Sequence, residues 1–219
     1  MKKAVIFDLD GTLVNSIYDL ADGVNFALGK NGYPTHPEEA YLIFVGNGIK
    51  KLIERALGDK ATEETVTKVR ADFEVYYRDH CCDRTRAYDG IVELLDNFKK
   101  NGVKLAVCSN KAQKFTEYIV NTIFGEDTFD FVYGQRPELQ MKPAPDCIFF
   151  VAENLGVSID ECIYIGDSNV DIMAGIAADV DTLGVTWGFR TEEELLETGA
   201  KHIAHKPCQI KEYFERGTL

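Results

Sequence analysis

The chain has 219 residues, 45% of them hydrophobic, enough for one substantial core or for one core with a smaller appendage. A formal net charge of -12 and a pI near 4.8 exclude nucleic acid and anionic membrane surfaces as partners held by bulk electrostatics, yet allow a small anion in a local site. The six scattered cysteines lack any Cys-x-x-Cys pair, the start at Met1 has no leader-like pattern, and no apolar run reaches the ~18 residues of a membrane span. These features predict a cytoplasmic protein with reduced thiols and no zinc site.

In chain order, the first element is the run AVIF at Ala4 to Phe7, continuous rather than alternating, as a strand buried on both faces of a parallel sheet reads. From Ser16 to Tyr88 the pattern is helical, with no convincing strand and with GKNGYPTHPEE as a loop. Within it, IKKLIERALG places Ile49, Leu52, Ile53 and Ala56 on one face, and TEETVTKVRADFEVYYRDH does the same with Val66, Val69, Phe73 and Tyr76. A further helix, GIVELLDNFKKNG, carries the stripe Ile91, Leu94, Leu95 and Phe98 and ends at a capping Gly102. Three more apolar runs read as strands: Val103 to Cys108, Glu161 to Gly166 and Val180 to Thr186. Strand alternating with helix predicts an α/β protein with a doubly wound parallel sheet, interrupted by a helical insertion after the first strand. The expected division is 1–15 with 89–219 as the core, and 16–88 as the inserted unit.

Ligand crevices of open α/β sheets lie beyond the carboxyl ends of the strands. There the sequence places Asp8, Asp10, Gly11 and Thr12 after the first strand, Ser109, Asn110 and Lys111 after the second, and Asp167, Ser168 and Asp171 after the third. Converging carboxylates repel one another unless a cation neutralises them, and oxygen ligands suit Mg2+. The metal candidates are Asp8, Asp10 through its backbone carbonyl, Asp167 and Asp171, the last suited to orienting its neighbours. Lys142, in MKPAPD, together with Ser109, Asn110, Gly11 and Thr12, supplies the positive charge and small donors that bind a phosphoryl group. Phosphoryl transfer is the chemistry this equipment suits, with Asp8 free to attack and Asp10 placed to move a proton for the leaving group and the water.

Taken in order, DLDGT, SN, KPAPD and GDSNVD resemble the haloacid dehalogenase-like hydrolase superfamily along essentially the whole chain. The resemblance implies a Rossmann-like core with a helical cap after the first strand. It also implies Asp8 as nucleophile, Asp10 as general acid/base, Ser109 and Lys142 as phosphate ligands, and Asp167 as a metal ligand. An aspartate two residues after the nucleophile favours the phosphatase and phosphomutase branches over dehalogenases. VGNGIKKLIERALG and GVTWGFRTEEELLETGAKHI are similar to bacterial phosphoglycolate phosphatases, which implies a small phosphorylated metabolite as substrate and a monomer or homodimer. Pyrophosphatase, broad sugar or nucleotide phosphatase, β-phosphoglucomutase-like mutase and non-catalytic phosphate-binding protein are the rival readings.

Gly46, Asn47 and Gly48 read equally as a turn into the next helix or as amides for the far end of an anionic substrate. Arg55, Arg136 and Arg190 read as solvated, while Trp187, Phe149 and Phe150 read as core and the cysteines as inert packing. Asn15 stands where the superfamily commonly has aspartate, which implies altered cap hinging or substrate preference rather than inactivity.

Overall fold

The computed structural model describes residues 2–216. The chain forms two compact units, one of residues 1–14 and 87–219 and the other of residues 15–86, so both boundaries fall one or two residues earlier than the sequence pattern suggests.

The larger unit is built on a six-stranded parallel sheet: β1 (Ala4–Phe7), β4 (Lys104–Ala112), β5 (Phe131–Gln135), β6 (Cys162–Gly166), β7 (Asp181–Val185) and β8 (His202–Ala204), in the order β5-β4-β1-β6-β7-β8. Two further strands, β2 (Val14–Asn15) and β3 (Arg86–Ala87), pair with each other where the chain passes between the units. β1 lies between β4 and β6, with Ala4 opposite both Lys104 and Cys162. All four of its side chains are fully buried. Ala4 and Ile6 on one face join Ala106, Cys108 and Tyr164 against Ile148, Val151 and Leu155 of α7 (Asp146–Leu155). The alternate residues Val5, Phe7, Leu105, Val107, Ile163 and Ile165 are buried as well, which explains why these strands read as continuous apolar runs. Each large aliphatic or aromatic side chain in this layer contributes about 1.5–3 kcal/mol by leaving water.

The outer strands of the sheet, β5 and β8, escape the sequence pattern. Each is short, and FVYGQ and HIA are only half buried, so neither carries a strong apolar signature. β4 runs past the expected Cys108 to Ala112, but its register with β5 breaks between those two residues. Ser109, Asn110 and Lys111 fall in the break, at the carboxyl end of a strand next to β1. The helices of this unit include α5 (Ile91–Lys100), α6 (Gln113–Phe124), α8 (Asn169–Ala177), α9 (Glu192–Thr198) and α10 (Pro207–Arg216). Phe149 on α7 is exposed, contrary to its expected place in the core, because it lies on the solvent side of a helix whose buried stripe is Cys147, Ile148, Val151, Ala152 and Leu155.

The smaller unit is helical: α1 (Ile17–Lys30), α2 (Tyr41–Phe44), α3 (Gly48–Leu57) and α4 (Glu63–His80). α4 begins at a capping box in which Thr62 and Thr65 satisfy each other's amides. Its buried stripe is Val66, Val69, Phe73 and Tyr77, not Tyr76. At about 100° per residue Tyr77 falls nearer the stripe's centre, and Tyr76 instead stacks between Phe26 and His80. Phe73 and Tyr77 pack on α1 at Gly23, where a side-chain carbon would stand 2.9 Å from the Phe73 ring. Asn15 accepts the Ile17 amide at 3.3 Å, an Asx turn that starts α1.

Asp19 ties the two ends of this unit together. It is buried on α1 and accepts the amides of Arg84 (2.9 Å) and Thr85 (2.8 Å) and the Thr85 hydroxyl (2.6 Å), just before the chain leaves through β3. Asp19→Ala strands the two buried donors of Thr85 and the part-buried Arg84 amide, and the variant should lose about 3 kcal/mol in urea unfolding, whereas Asp19→Asn should lose less because it keeps one acceptor oxygen.

Candidate active site

Asp8 follows β1 directly, and its amide extends the ladder onto the Ile165 carbonyl at 2.8 Å. Beyond it the chain folds back: Gly11 N donates to Val14 O at 2.8 Å, and Leu13 N to Leu9 O at 3.0 Å. Gly11 has φ +91°, and a Cβ there would stand 2.2 Å from an Asp167 carboxylate oxygen, so both conformation and space demand glycine. Thr12 is fully buried, and its hydroxyl donates across the sheet to Asp167 Oδ1 at 3.1 Å rather than within its own turn.

Asp167 is gripped from a second side by the loop after β7. Phe189 N donates to Asp167 Oδ2 at 2.8 Å, and the Trp187 indole donates to Thr12 O at 3.0 Å. Gly188 between them approaches so closely that a Cβ would lie 2.3 Å from that of Asp167. Trp187 is therefore a half-buried brace of the loop after Asp8 and not the core residue its composition suggests.

Lys142 reaches the site from the loop before α7 and is almost wholly buried. Its Nζ lies 2.8 Å from Asp8 Oδ1 and 2.7 Å from Asp171 Oδ1, and donates to Cys108 O and the Tyr164 hydroxyl, both at 2.9 Å. Asn110 anchors its backbone: the amide nitrogen donates to Lys142 O at 2.9 Å and the oxygen accepts Lys142 N at 2.8 Å. That engages both ends of the Asn110 amide. Ser109 is buried beside it, and its hydroxyl accepts the Lys111 amide at 3.2 Å. Asp10 pairs with Lys111, whose Nζ is 2.9 Å from each carboxylate oxygen.

Asp171 accepts Lys142 and Tyr164 on one oxygen, and the Ser168 amide and hydroxyl on the other. Burial alone would raise its pKa, but the charge of Lys142 and these donors outweigh burial and hold it below the ordinary carboxylate value. Asp8 fares differently. Burial pushes it up to about 7 against the pull of Lys142, with the charges of Asp171 and Asp10 adding to the rise. Asp167 is raised well above its ordinary value by burial and then by the charges of Asp171 and Asp8.

Asp8, Asp167 and Asp171 each offer an oxygen within 4.8 Å of the others. Three carboxylates against one ammonium leave two negative charges in excess, and Asp8 Oδ1 is buried with no hydrogen bond. An all-oxygen set with that charge and an orphaned acceptor fits a divalent ion such as magnesium. Gly46, Asn47 and Gly48 lie in the other unit, at the entry to α3. Gly46 and Gly48 have positive φ, and Arg55 holds the loop by donating to Phe44 O (2.8 Å), Val45 O (3.2 Å) and Asn47 Oδ1 (2.7 Å). Arg55 is thus no merely solvated residue.

Residues 5–185 match the haloacid dehalogenase-like hydrolase family. The chain belongs to that family. Among relatives of this hydrolase is a phosphoglycolate phosphatase of Haemophilus influenzae, 36% identical over 215 residues that cover 95% of this chain and 96% of that protein. One from Colwellia psychrerythraea is 35% identical and covers 90% of each. A crystal structure of a Lactobacillus delbrueckii subsp. bulgaricus protein superposes with a TM-score of 0.92 at 34% identity, covering 97% of this chain and 98% of that one. Among the described residues no helix is long and apolar enough to cross a membrane.

Sequence reasoning overlooked Tyr164, Trp187 and Phe189 and left Lys111 without a role. The motif GDSNVD does signal Ser168 and Asp171, because a serine three residues before an acid is a capping box. No comparable local signal marks the rest.

A carboxyl raised on folding binds its proton more tightly in the folded chain, so its contribution is fullest below the unfolded value of 3.8 and is lost as pH rises to about 7. The metal-free hydrolase in EDTA should therefore lose Tm between about pH 5 and pH 7, and saturating magnesium should flatten that slope by favouring the ionised carboxylates. Calorimetric scans showing the same slope with and without magnesium would refute a shared ion at these carboxylates.

Proposed function

We propose that this hydrolase is a magnesium-dependent phosphatase that converts 2-phosphoglycolate to glycolate and phosphate through a phosphoaspartate on Asp8. Its reaction class is phosphoric monoester hydrolysis, as in the relatives it matches along nearly their whole length. The observation that carries the reading is the approach of Lys142 to Asp8 at 2.8 Å inside a group of three buried carboxylates at the ends of β1 and β6.

In this reading Asp8 attacks phosphorus with an oxygen while Lys142 offsets charge on the transferring phosphoryl group. The Ser109 hydroxyl and the amides of the turn after Asp8 take the remaining phosphoryl oxygens. Asp10 gives a proton to the departing glycolate oxygen and then takes one from the water that cleaves the phosphoaspartate. Lys111 holds the Asp10 carboxylate in place between those steps. Asp8, Asp167 and the Asp10 carbonyl would hold magnesium, whose charge neutralises the phosphoryl oxygens when it is bound. Asp171 secures Lys142 rather than the ion, since both of its oxygens already have donors. The loop of Gly46, Asn47 and Gly48 follows the Phe44 and Val45 carbonyls that Arg55 holds, and a glycine-flanked turn into a helix is of the kind whose amides receive a carboxylate.

Phosphate release with magnesium from 2-phosphoglycolate, pyrophosphate, sugar phosphates and nucleotides tests the proposal. 2-Phosphoglycolate should give the highest kcat/KM, Asp8→Asn should show no turnover, and Asp10→Asn should lower kcat by about 10²–10⁴. Preference for another ester would keep the chemistry and overturn the substrate. Phosphoryl transfer within glucose 1-phosphate in place of hydrolysis would make the protein a mutase.

A further inference from the structure

An ionised carboxylate offers about four lone-pair sites. Asp171 fills its own with the Lys142 ammonium, the Tyr164 hydroxyl, and the amide and hydroxyl of Ser168. Asp167 instead receives one donor on each oxygen, the Thr12 hydroxyl on Oδ1 at 3.1 Å and the Phe189 amide on Oδ2 at 2.8 Å. Each Asp167 oxygen therefore keeps a lone pair, while the carboxylate as a whole is held in one orientation. A metal ligand needs both properties.

The two donors come from different segments, and Trp187 joins those segments. Its indole donates to Thr12 O at 3.0 Å, so the residue that accepts from Trp187 is the one that donates to Asp167. Phe189 lies two residues beyond Trp187, and Gly188 between them packs against both Asp167 and Gly11 O with no room for a Cβ. All of these residues belong to the larger unit. We infer that Trp187 is a positioning residue for the metal ligand Asp167: its indole fastens the loop after β7 to the turn after Asp8 and so keeps both donors on the carboxylate. The inference rests on the reading of Asp167 as a magnesium ligand.

Groups that hold a metal ligand from behind decide how much ordering is left for the ion to impose, and losing one typically costs about 10–100-fold in metal affinity. Without the indole bond the loop is released from Thr12 and the Phe189 amide loses its aim, so that Asp167 is ordered only as the ion binds. Magnesium affinity then falls. At saturating magnesium the carboxylate is back in place, and turnover and the KM for the ester are restored. A merely structural Trp187 would do the reverse, lowering the Tm of the metal-free protein and leaving magnesium affinity alone.

Calorimetric titration with magnesium compares wild type, Trp187→Phe and Tyr213→Phe. Tyr213, on α10, donates to Ile203 O at 3.2 Å and controls for the loss of an aromatic bond to a backbone carbonyl in the same unit. Trp187→Phe should raise the magnesium Kd about 10-fold, and at saturating magnesium its kcat and its KM for 2-phosphoglycolate should stay within about twofold of wild type. Tyr213→Phe should keep the wild-type Kd. A Trp187→Phe Kd within about twofold of wild type, or an equal rise in Tyr213→Phe, overturns the inference. Should Trp187→Phe not fold, hydrogen exchange in the wild-type protein decides. Coupling is reciprocal, so an indole bond that strengthens magnesium binding about 10-fold is itself strengthened as much by bound magnesium. Trp187 is the chain's single tryptophan, and its one indole N–H signal should exchange about 10-fold more slowly in saturating magnesium. Unchanged indole exchange overturns the inference. A wild-type magnesium Kd in Asp167→Asn overturns the metal assignment and this inference with it, whereas a weakened Asp167→Asn beside an unaffected Trp187→Phe overturns the inference alone.

Discussion

The structure turns on a charge imbalance: three carboxylates, Asp8, Asp167 and Asp171, are buried in one cluster, with one lysine paired to Asp8 and Asp171. Taking such ions out of water costs several kcal/mol each, and their mutual attraction to Lys142 offsets this only where geometry and additional donors are good. The parallel sheet meets that requirement. With β1 between β4 and β6, residues far apart in the chain emerge at one edge of three adjacent strands. No side chain has to bridge a long gap, and each carboxylate can be surrounded by backbone and side-chain donors from a neighbouring strand end.

Close approach, not flexibility, is what the glycines contribute. Gly11 and Gly188 flank Asp167 so tightly that any side chain at either position would displace the carboxylate. The hydrogen bonds that orient Asp167 come from Thr12 and Phe189, the residues immediately after those glycines. Each glycine therefore lets the next residue reach the carboxylate, and the loop after β7, far from Asp8 in sequence, becomes part of the site's support.

Much of this was legible in the sequence because the chemistry-bearing residues sit beside continuous apolar runs. AVIF before Asp8 and CIYIG before Asp167 announce a buried strand and, at its carboxyl end, an acid aimed into the crevice. The two outer strands were not legible, since half-buried, short segments carry too little apolar character. Supporting residues escaped for a different reason. Tyr164 occupies a core position in a core strand, Trp187 looks like any buried aromatic, and Lys111 and Arg55 look like ordinary surface cations. What distinguishes each is a partner between 8 and 175 residues away, Val45 lying 10 from Arg55 and Thr12 lying 175 from Trp187, and no local pattern encodes such a contact.

Asp8 and Asp171 are the same residue type, both buried, both within 2.8 Å of the same ammonium, yet their surroundings drive them apart. Asp171 receives a tyrosine hydroxyl, a serine hydroxyl and a backbone amide as well, and its charge is stabilised below the ordinary range. Asp8 has no such set of further donors, and burial, with the charges of Asp171 and Asp10 beside it, pushes it up to about 7. Hydrogen-bond supply and neighbouring negative charge, not distance from the lysine, separate them. A carboxylate whose lone pairs are all engaged can only support its neighbours, while one with fewer donors keeps lone pairs for a cation. The division of labour between two identical side chains comes from where β6 and the capping box of α8 place their donors.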